Sequence, residues 1–261
     1  MFRRYWSGRW LLISFFRREL SSRYAGTIGG GLWALAQPVL LLAIYSFVFR
    51  SVFKVSFPEL ERHSFVAFAA TALWPWMAFS EGLTRGTHAV LANASLVRKV
   101  SFPHEFLVCA SVSASFAIHV MGYFAVIGVL AVSGERFVWT HLPIALLGWG
   151  LLYGFALGVA LLTATLQVFL RDIDHMLGPT LTVLMYLTPI LYPLSQVPLS
   201  AHPLMQLNPL VHFLEPIRSA MLFEGPLPIS TMIPATAVSG AALLIGWRVF
   251  RRLSDYFEDF I

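Results

Sequence analysis

The stretch FVWTHLPIALLGWGLLYGFALGVALLTATLQVFL, Phe137 to Leu170, runs for 34 residues without one Asp, Glu, Lys or Arg. A bilayer core of about 30 Å is crossed by about 20 apolar residues of helix, so this stretch reads as a membrane span. Five more charge-free runs lie on either side of it: Tyr24 to Phe49, His63 to Ser80, Phe106 to Gly134, His175 to Leu214 and Gly225 to Trp247. Together the six runs take up 170 of the 261 residues. The chain has 18 Lys and Arg and 13 Asp and Glu, so 12% of it is charged and 57% is apolar. Soluble domains carry about 25% charge. A mean hydropathy of +0.72 points the same way. These values exclude a soluble enzyme of this size, a disordered chain, collagen and a coiled coil. They predict an all-α polytopic membrane protein with six spans, over 30–53, 64–83, 106–132, 141–169, 176–192 and 230–250, in a single domain covering 1–261.

Orientation follows from the cations. With the amino terminus cytoplasmic and six spans, 13 Lys and Arg fall inside and 5 outside, namely Arg50, Lys54, Arg62, Arg136 and Arg218. Positive residues favour the cytoplasmic side, so both termini are expected there. Arg3, Arg4, Arg9, Arg17 and Arg18 interrupt any signal-peptide core, which leaves targeting to the first span. The net charge of +5 comes from residues flanking apolar runs, which suits membrane lipids and gives no reason to expect nucleic acid. Cys109 is the only cysteine, so no internal disulfide forms.

Three segments outside the spans carry information. In 1–25, Phe2, Trp6, Ile13, Phe16, Leu20 and Tyr24 share a helical face among arginines, which predicts an amphipathic helix lying in the interface. Leu11, Leu12 and Phe15 fall off that stripe, and a plain basic flank that fixes topology is the simpler reading. Between spans two and three, Asn93-Ala-Ser-Leu-Val-Arg-Lys-Val-Ser-Phe-Pro103 offers a cap at Asn93 or Ser95 and a stop at Pro103, a short basic helix suited to docking a partner. The external segment 193–229 is proline-rich and apolar but broken at Pro209 and Pro216. It is expected to form re-entrant helices between spans five and six, or else a loop on the outer surface.

No catalytic motif is present. There is no phosphate loop, paired-histidine metal site or nucleophile elbow, and Gly29-Gly30-Gly31 lacks the Lys that a phosphate loop requires. His119 falls near the middle of a span and is expected to bond a neighbouring helix, and Glu81, Glu105, Asp172 and Asp174 lie at cytoplasmic ends, which disfavours ion coupling. Neither a metal nor a cofactor is expected on this chain. The spans are instead rich in aromatics. Trp33, Tyr45, Trp74, Trp76, Phe79, Tyr186 and Tyr192 could line a channel, because ring faces stack on sugar faces while permitting sliding. Anchoring at the headgroups is the competing role.

Four blocks resemble the membrane subunit of ABC-2 type polysaccharide exporters, the family of O-antigen, capsule and teichoic-acid permeases. They are Arg23-Tyr24-Ala25-Gly26-Thr27-Ile28-Gly29-Gly30-Gly31-Leu32-Trp33 running on to Pro38; Asn93 to Pro103; Arg171-Asp172-Ile173-Asp174-His175 with Tyr186-Leu187-Thr188-Pro189-Ile190-Leu191-Tyr192-Pro193; and Asn208-Pro209-Leu210 with Arg218. The three glycines at 29 to 31 depart from the pattern and would loosen the start of span one. The resemblance implies a homodimer with the channel at its interface, driven by two copies of an ATP-binding cassette subunit that holds the ATP and Mg. It makes 93–103 the coupling helix, with Asn93, Leu96, Val97, Arg98, Lys99, Val100, Phe102 and Glu105 the expected partner contacts. It also implies a lipid-linked polysaccharide as cargo, O-antigen foremost, in the inner membrane, with Arg23 and Arg98 placed to meet the lipid phosphate. Small-molecule or drug efflux is the alternative within the superfamily. A membrane-embedded transferase is the alternative outside it.

Overall fold

The computed structural model describes residues 2–23, 26, 30–54, 62–225 and 232–261, and every regular element among them is helical. Helix α1 covers Phe2–Arg23; α2 covers Trp33–Ser46 and continues as a π-helix over Phe47–Val52; α3 covers Phe65–His88. The short α4, Ala94–Lys99, leads into the long α5, Glu105–Val132, and α6, Leu142–Phe169. After α7, Asp172–Leu187, come α8, His202–Leu207, α9, Val211–Leu222, α10, Met232–Leu253, and the single-turn α11, Phe257–Phe260.

Helix α3 is the hub, with α5, α6, α9 and α2 packed around it. Its start is fixed by Ser64, whose Oγ accepts the Ala67 N–H at 3.2 Å, a conventional N-cap. A run of small residues, Ala67 and Ala69 to Ala72, lets the surrounding helices approach closely, and Trp74, Phe68 and Leu73 fill the remaining space. Helix α6 makes its largest contact with α10, and there the backbones touch. A Cβ on Gly158 would lie 2.3 Å from the Ala242 carbonyl carbon, and one on Gly246 would lie 2.0 Å from the Gly158 oxygen. With Gly154, these positions form the small-residue spacing by which helices associate in lipid. The Ser239 hydroxyl adds a bond to the Leu151 carbonyl at 2.8 Å.

Among the described residues, four helical stretches are long and apolar enough to cross a membrane: Leu35–Val52, Glu105–Val132, Trp139–Phe169 and Met232–Phe260. Two of the six expected spans differ. Helix α3 has the length, at 24 residues, but carries Glu81, Arg85, Pro75 and two tryptophans. Helix α7 has only 16 residues, and it runs from 172 to 187 where the sequence suggested 176–192. At the start of α2, a 3-10 turn over Gly30–Leu32 delays the α-helix to Trp33; Gly29 lies outside the described residues.

Two expectations about faces need correction. In α1 the packed face contains Phe15, with Leu11 and Leu12 beside it, while Ile13 is exposed. The residues that fell off the predicted stripe pack, together with Phe16 from the stripe, because α1 lies against α5 and the ring of Phe15 meets Phe102 at 5.5 Å. Trp10, 70% exposed, and Ile13 form the outward side; the side chains of Phe2, Trp6 and Tyr24 lie outside the described residues. Arg218, counted among the external loop cations, is in the core with 1% exposure, because α9 inserts between α3 and α6. The remainder of the proline-rich segment, 226–229, lies outside the described residues.

Candidate functional site: a polar cleft, a helical corner and an arginine clamp

A cleft of about 580 Å³ opens between α2 and α7, with α3 and α5 as its floor. Trp33, Gln37 and Pro38 come from α2, Ser80, Glu81, Thr84 and Arg85 from α3, and His119 from α5. Glu81 is its electrostatic centre. One carboxylate oxygen accepts from Arg23 at 3.0 Å and from Arg85 Nε at 2.7 Å, and the other from His119 Nε2 at 2.7 Å. Arg23 also donates to Ser115 Oγ at 2.8 Å and to the Ser111 carbonyl at 3.2 Å, and Glu19 lies 3.6 Å from it. The network thereby ties α1, α3 and α5 together. The Arg23 side chain is 1% exposed, and its bonds to Glu81, Ser111 and Ser115 make it a tie between helices. Beside it, Arg18 bonds the side chain of Asn93, and His88 Nε2 lies 2.6 Å from Asp174 on α7, which holds that carboxyl below its ordinary range.

The aromatic residues divide into two sets. Trp33, which lines the cleft, and Tyr186 on α7 are 60% and 66% exposed, Tyr45 and Tyr192 are half-buried, and the Tyr192 hydroxyl donates to the Tyr186 carbonyl at 2.7 Å. Trp74, Trp76 and Phe79 are covered by neighbouring helices, Phe79 stacking on Phe155 at 5.6 Å. Within the single subunit they are packing residues, and Phe79 with Phe155 and Leu177 borders a second, apolar cavity of about 260 Å³. The period of α3 could not tell a lining face from a packed one, since both of its sides are apolar.

Helix α4 has two sides as well. Val97 is buried and Asn93 and Leu96 are half-buried, while Arg98, Lys99 and Val100 are exposed. Asn93 sits at the N-cap position without capping through its side chain; its amide donates instead to the Ala89 carbonyl at 2.8 Å. Phe102 and Glu105 are buried against the chain itself, Phe102 between Phe15 and His104. Of the expected partner contacts, Arg98, Lys99 and Val100 are therefore the ones on offer to a second protein, and Phe102 secures the corner from within.

At the other end of the bundle, Asn208 and Arg218 grip the turn after α7. The Asn208 amide donates to Thr188 Oγ1 at 2.9 Å and the Leu187 carbonyl at 3.2 Å, and its oxygen accepts the Leu210 N–H at 3.0 Å. Arg218 donates to the Ile190 carbonyl at 2.7 Å, pairs with Glu215 at 2.8 Å and lies 3.9 Å over the ring of Phe68.

Comparison with known proteins sets these features in a family. The profile of the ABC-2 type transporter matches residues 11–222. The chain belongs to the ABC-2 type transporter family. It is 30% identical to the O-antigen export system permease protein RfbA of Myxococcus xanthus, over 97% of this chain and 94% of that one. It is 27% identical to the protein of the same name from Klebsiella pneumoniae, over 96% and 95%. Identity to the polysialic acid transport protein KpsM of Escherichia coli is 26% over 79% of each chain.

In this ABC-2 chain described residues of the four sequence blocks fall into two groups, one at each end of the bundle. Arg23 and Asn93 belong to the network at the α1 end, while Thr188, Ile190, Asn208 and Arg218 from the third and fourth blocks form one clamp. Sequence reading missed Glu81 and His119 as a pair. The spacing of Glu81 and Arg85, four apart on α3, was the available signal. Helices α10 and α11 lie beyond the matched residues.

Proposed function

We propose that this chain is the permease subunit of an ATP-driven exporter that moves a lipid-linked polysaccharide, O-antigen foremost, across the inner membrane. Its similarity to O-antigen export permeases over nearly their whole length carries the reading. The channel forms where two copies bring their α2 and α7 faces together, with Trp33, Tyr45, Tyr186 and Tyr192 as sliding platforms for sugar rings. Six spans cross the membrane, with α3 sheathed by its neighbours and α7 completed by the turn to Tyr192, and both termini are cytoplasmic. The corner at Arg98, Lys99 and Val100 seats in the ATP-binding subunit, two copies of which hydrolyse the ATP. Export depends on that seating.

The test is deletion and replacement in the native cell. Loss of the chain is expected to abolish surface polysaccharide while lipid-linked polymer accumulates inside, and the tagged protein in mild detergent is expected to bring a stoichiometric ATP-binding subunit with it. Normal surface polysaccharide in the deletion strain overturns the cargo assignment; a chain that purifies alone overturns the coupled mechanism.

A further inference from the structure

A short single-turn helix holds its place only when something ties it down. Helix α11 is tied down. Phe257 is 0% exposed, stacked 6.3 Å from His104 and packed edge-on against Phe250 at 5.3 Å, with Phe169 at 6.0 Å. Through these rings α11 is fixed to the segment that follows α4 and to the ends of α6 and α10, and α11 packs against α4 itself. Phe102, which touches both Phe15 and His104, joins α1 to the same cluster.

The anchored turn presents an outward side of definite chemistry. Tyr256 and Phe260 are 56% and 58% exposed, and Asp255, Glu258 and Asp259 are exposed around them. None of these three carboxylates forms a salt bridge within the described residues, and neither does Arg98 or Lys99 on α4. Exposed aromatics ringed by unpaired acids do not suit a lipid surface, because anionic headgroups attract basic segments and repel acidic ones. They suit a protein surface with an apolar centre and a basic rim.

We propose that residues 254–261 and α4 form one composite docking surface for the ATP-binding subunit, with a basic half at Arg98 and Lys99, an acidic half at Asp255, Glu258 and Asp259, and Val100, Tyr256 and Phe260 as its apolar contacts. This rests on the reading of the chain as a subunit driven by a separate ATPase. The opposite signs of the two halves call for an acidic patch and a basic patch on the partner, and such a pairing fixes the direction in which the partner seats. Because Phe257 joins the acidic half to α6 and α10, a push on the docked corner reaches both helices directly.

A photo-crosslinking residue placed singly at positions 100, 256 and 260 of the full-length chain, in membranes holding the whole transporter, tests the proposal. Adducts with the same ATP-binding subunit from all three positions are expected. Adducts from position 100 alone, or lipid adducts at 256 and 260, overturn the composite surface and leave docking through α4 intact. No protein adduct from any position overturns the docking reading itself. As a second measurement, the double variant Glu258→Lys with Asp259→Lys alters only exposed residues. It is expected to retain about fivefold less ATP-binding subunit on purification, with unchanged amounts in the membrane, the loss of two rim charge pairs. Undiminished retention overturns the acidic half.

Discussion

Two arginines with the same burial, Arg23 and Arg218, each with its side chain 1% exposed, hold the two ends of this bundle in different ways. Arg23 shares Glu81 with Arg85 and His119, and Glu81 is 33% exposed along a cleft wide enough for water. Arg218 has one carboxylate on its own helix, Glu215, 23% exposed, and one carbonyl and one phenyl face inside the protein. A network of several charges can lose a member and rearrange, whereas a single donor fixed on one carbonyl and one ring cannot. The α1 end is thereby suited to adjust under load from a docked motor, and the α9 end to hold the turn after α7 in one shape.

Arg218→Met is the sharpest way to test this difference. It leaves the buried Ile190 carbonyl without its donor and removes the guanidinium from Glu215, and a loss of about 3 kcal/mol is expected, read as a large fall in the thermal midpoint of the detergent-solubilised protein. Pairing it with Glu215→Leu should recover much of the loss, since a buried pair is often replaceable by apolar side chains. Asn208→Ala removes three hydrogen bonds from the same turn, with an expected cost of about 2 kcal/mol and easier proteolysis near residues 187–190. Glu81→Gln keeps the shape and removes the charge, and an effect nearer 1 kcal/mol is expected because Glu19 and water can take up part of the demand of Arg23 and Arg85. If Glu81→Gln proves as costly as Arg218→Met, the network is as unforgiving as the clamp and the contrast between the two ends fails.

The smallest effect concerns pH. Burial against Phe102 and Phe257 lowers the affinity of His104 for a proton below its ordinary value of 6.5, despite Glu105, Glu258 and Asp255 nearby. In the window between the lowered value and 6.5, the unfolded chain binds a proton that the folded chain does not, so stability declines as pH falls through that window. His104→Phe is expected to flatten this slope in thermal midpoints taken between pH 7 and pH 5.5; an unchanged slope assigns the titration to another group.

The sequence made the helices readable more than their faces. Charge-free runs located α5, α6 and α10, and the basic segment before Pro103 located α4, because these depend on local composition. Arg218 looked like a loop cation, since the residues that accept it, Ile190 and Glu215, declare nothing about burial in their own neighbourhoods. Trp74, Trp76 and Phe79 could not be told from Trp33 and Tyr186, because lipid, channel and core all favour the same residue types in a span. The packed side of α1 was misjudged for a related reason. It has apolar residues on two faces, one for α5 and one pointing outward, and a single stripe could describe only one of them.

The contact of α6 with α10 at Gly158 and Gly246 has a mechanical consequence. Backbones in direct contact cannot slide without collision, so the pair acts as a stator against which other parts must turn. Helix α7 has Leu177 as its only buried residue, and α2 is similarly bare. These two are free of that lock, and they carry the exposed Trp33 and Tyr186. The glycine-locked pair thus gives α2 and α7 a fixed body against which they can tilt without loosening the bundle.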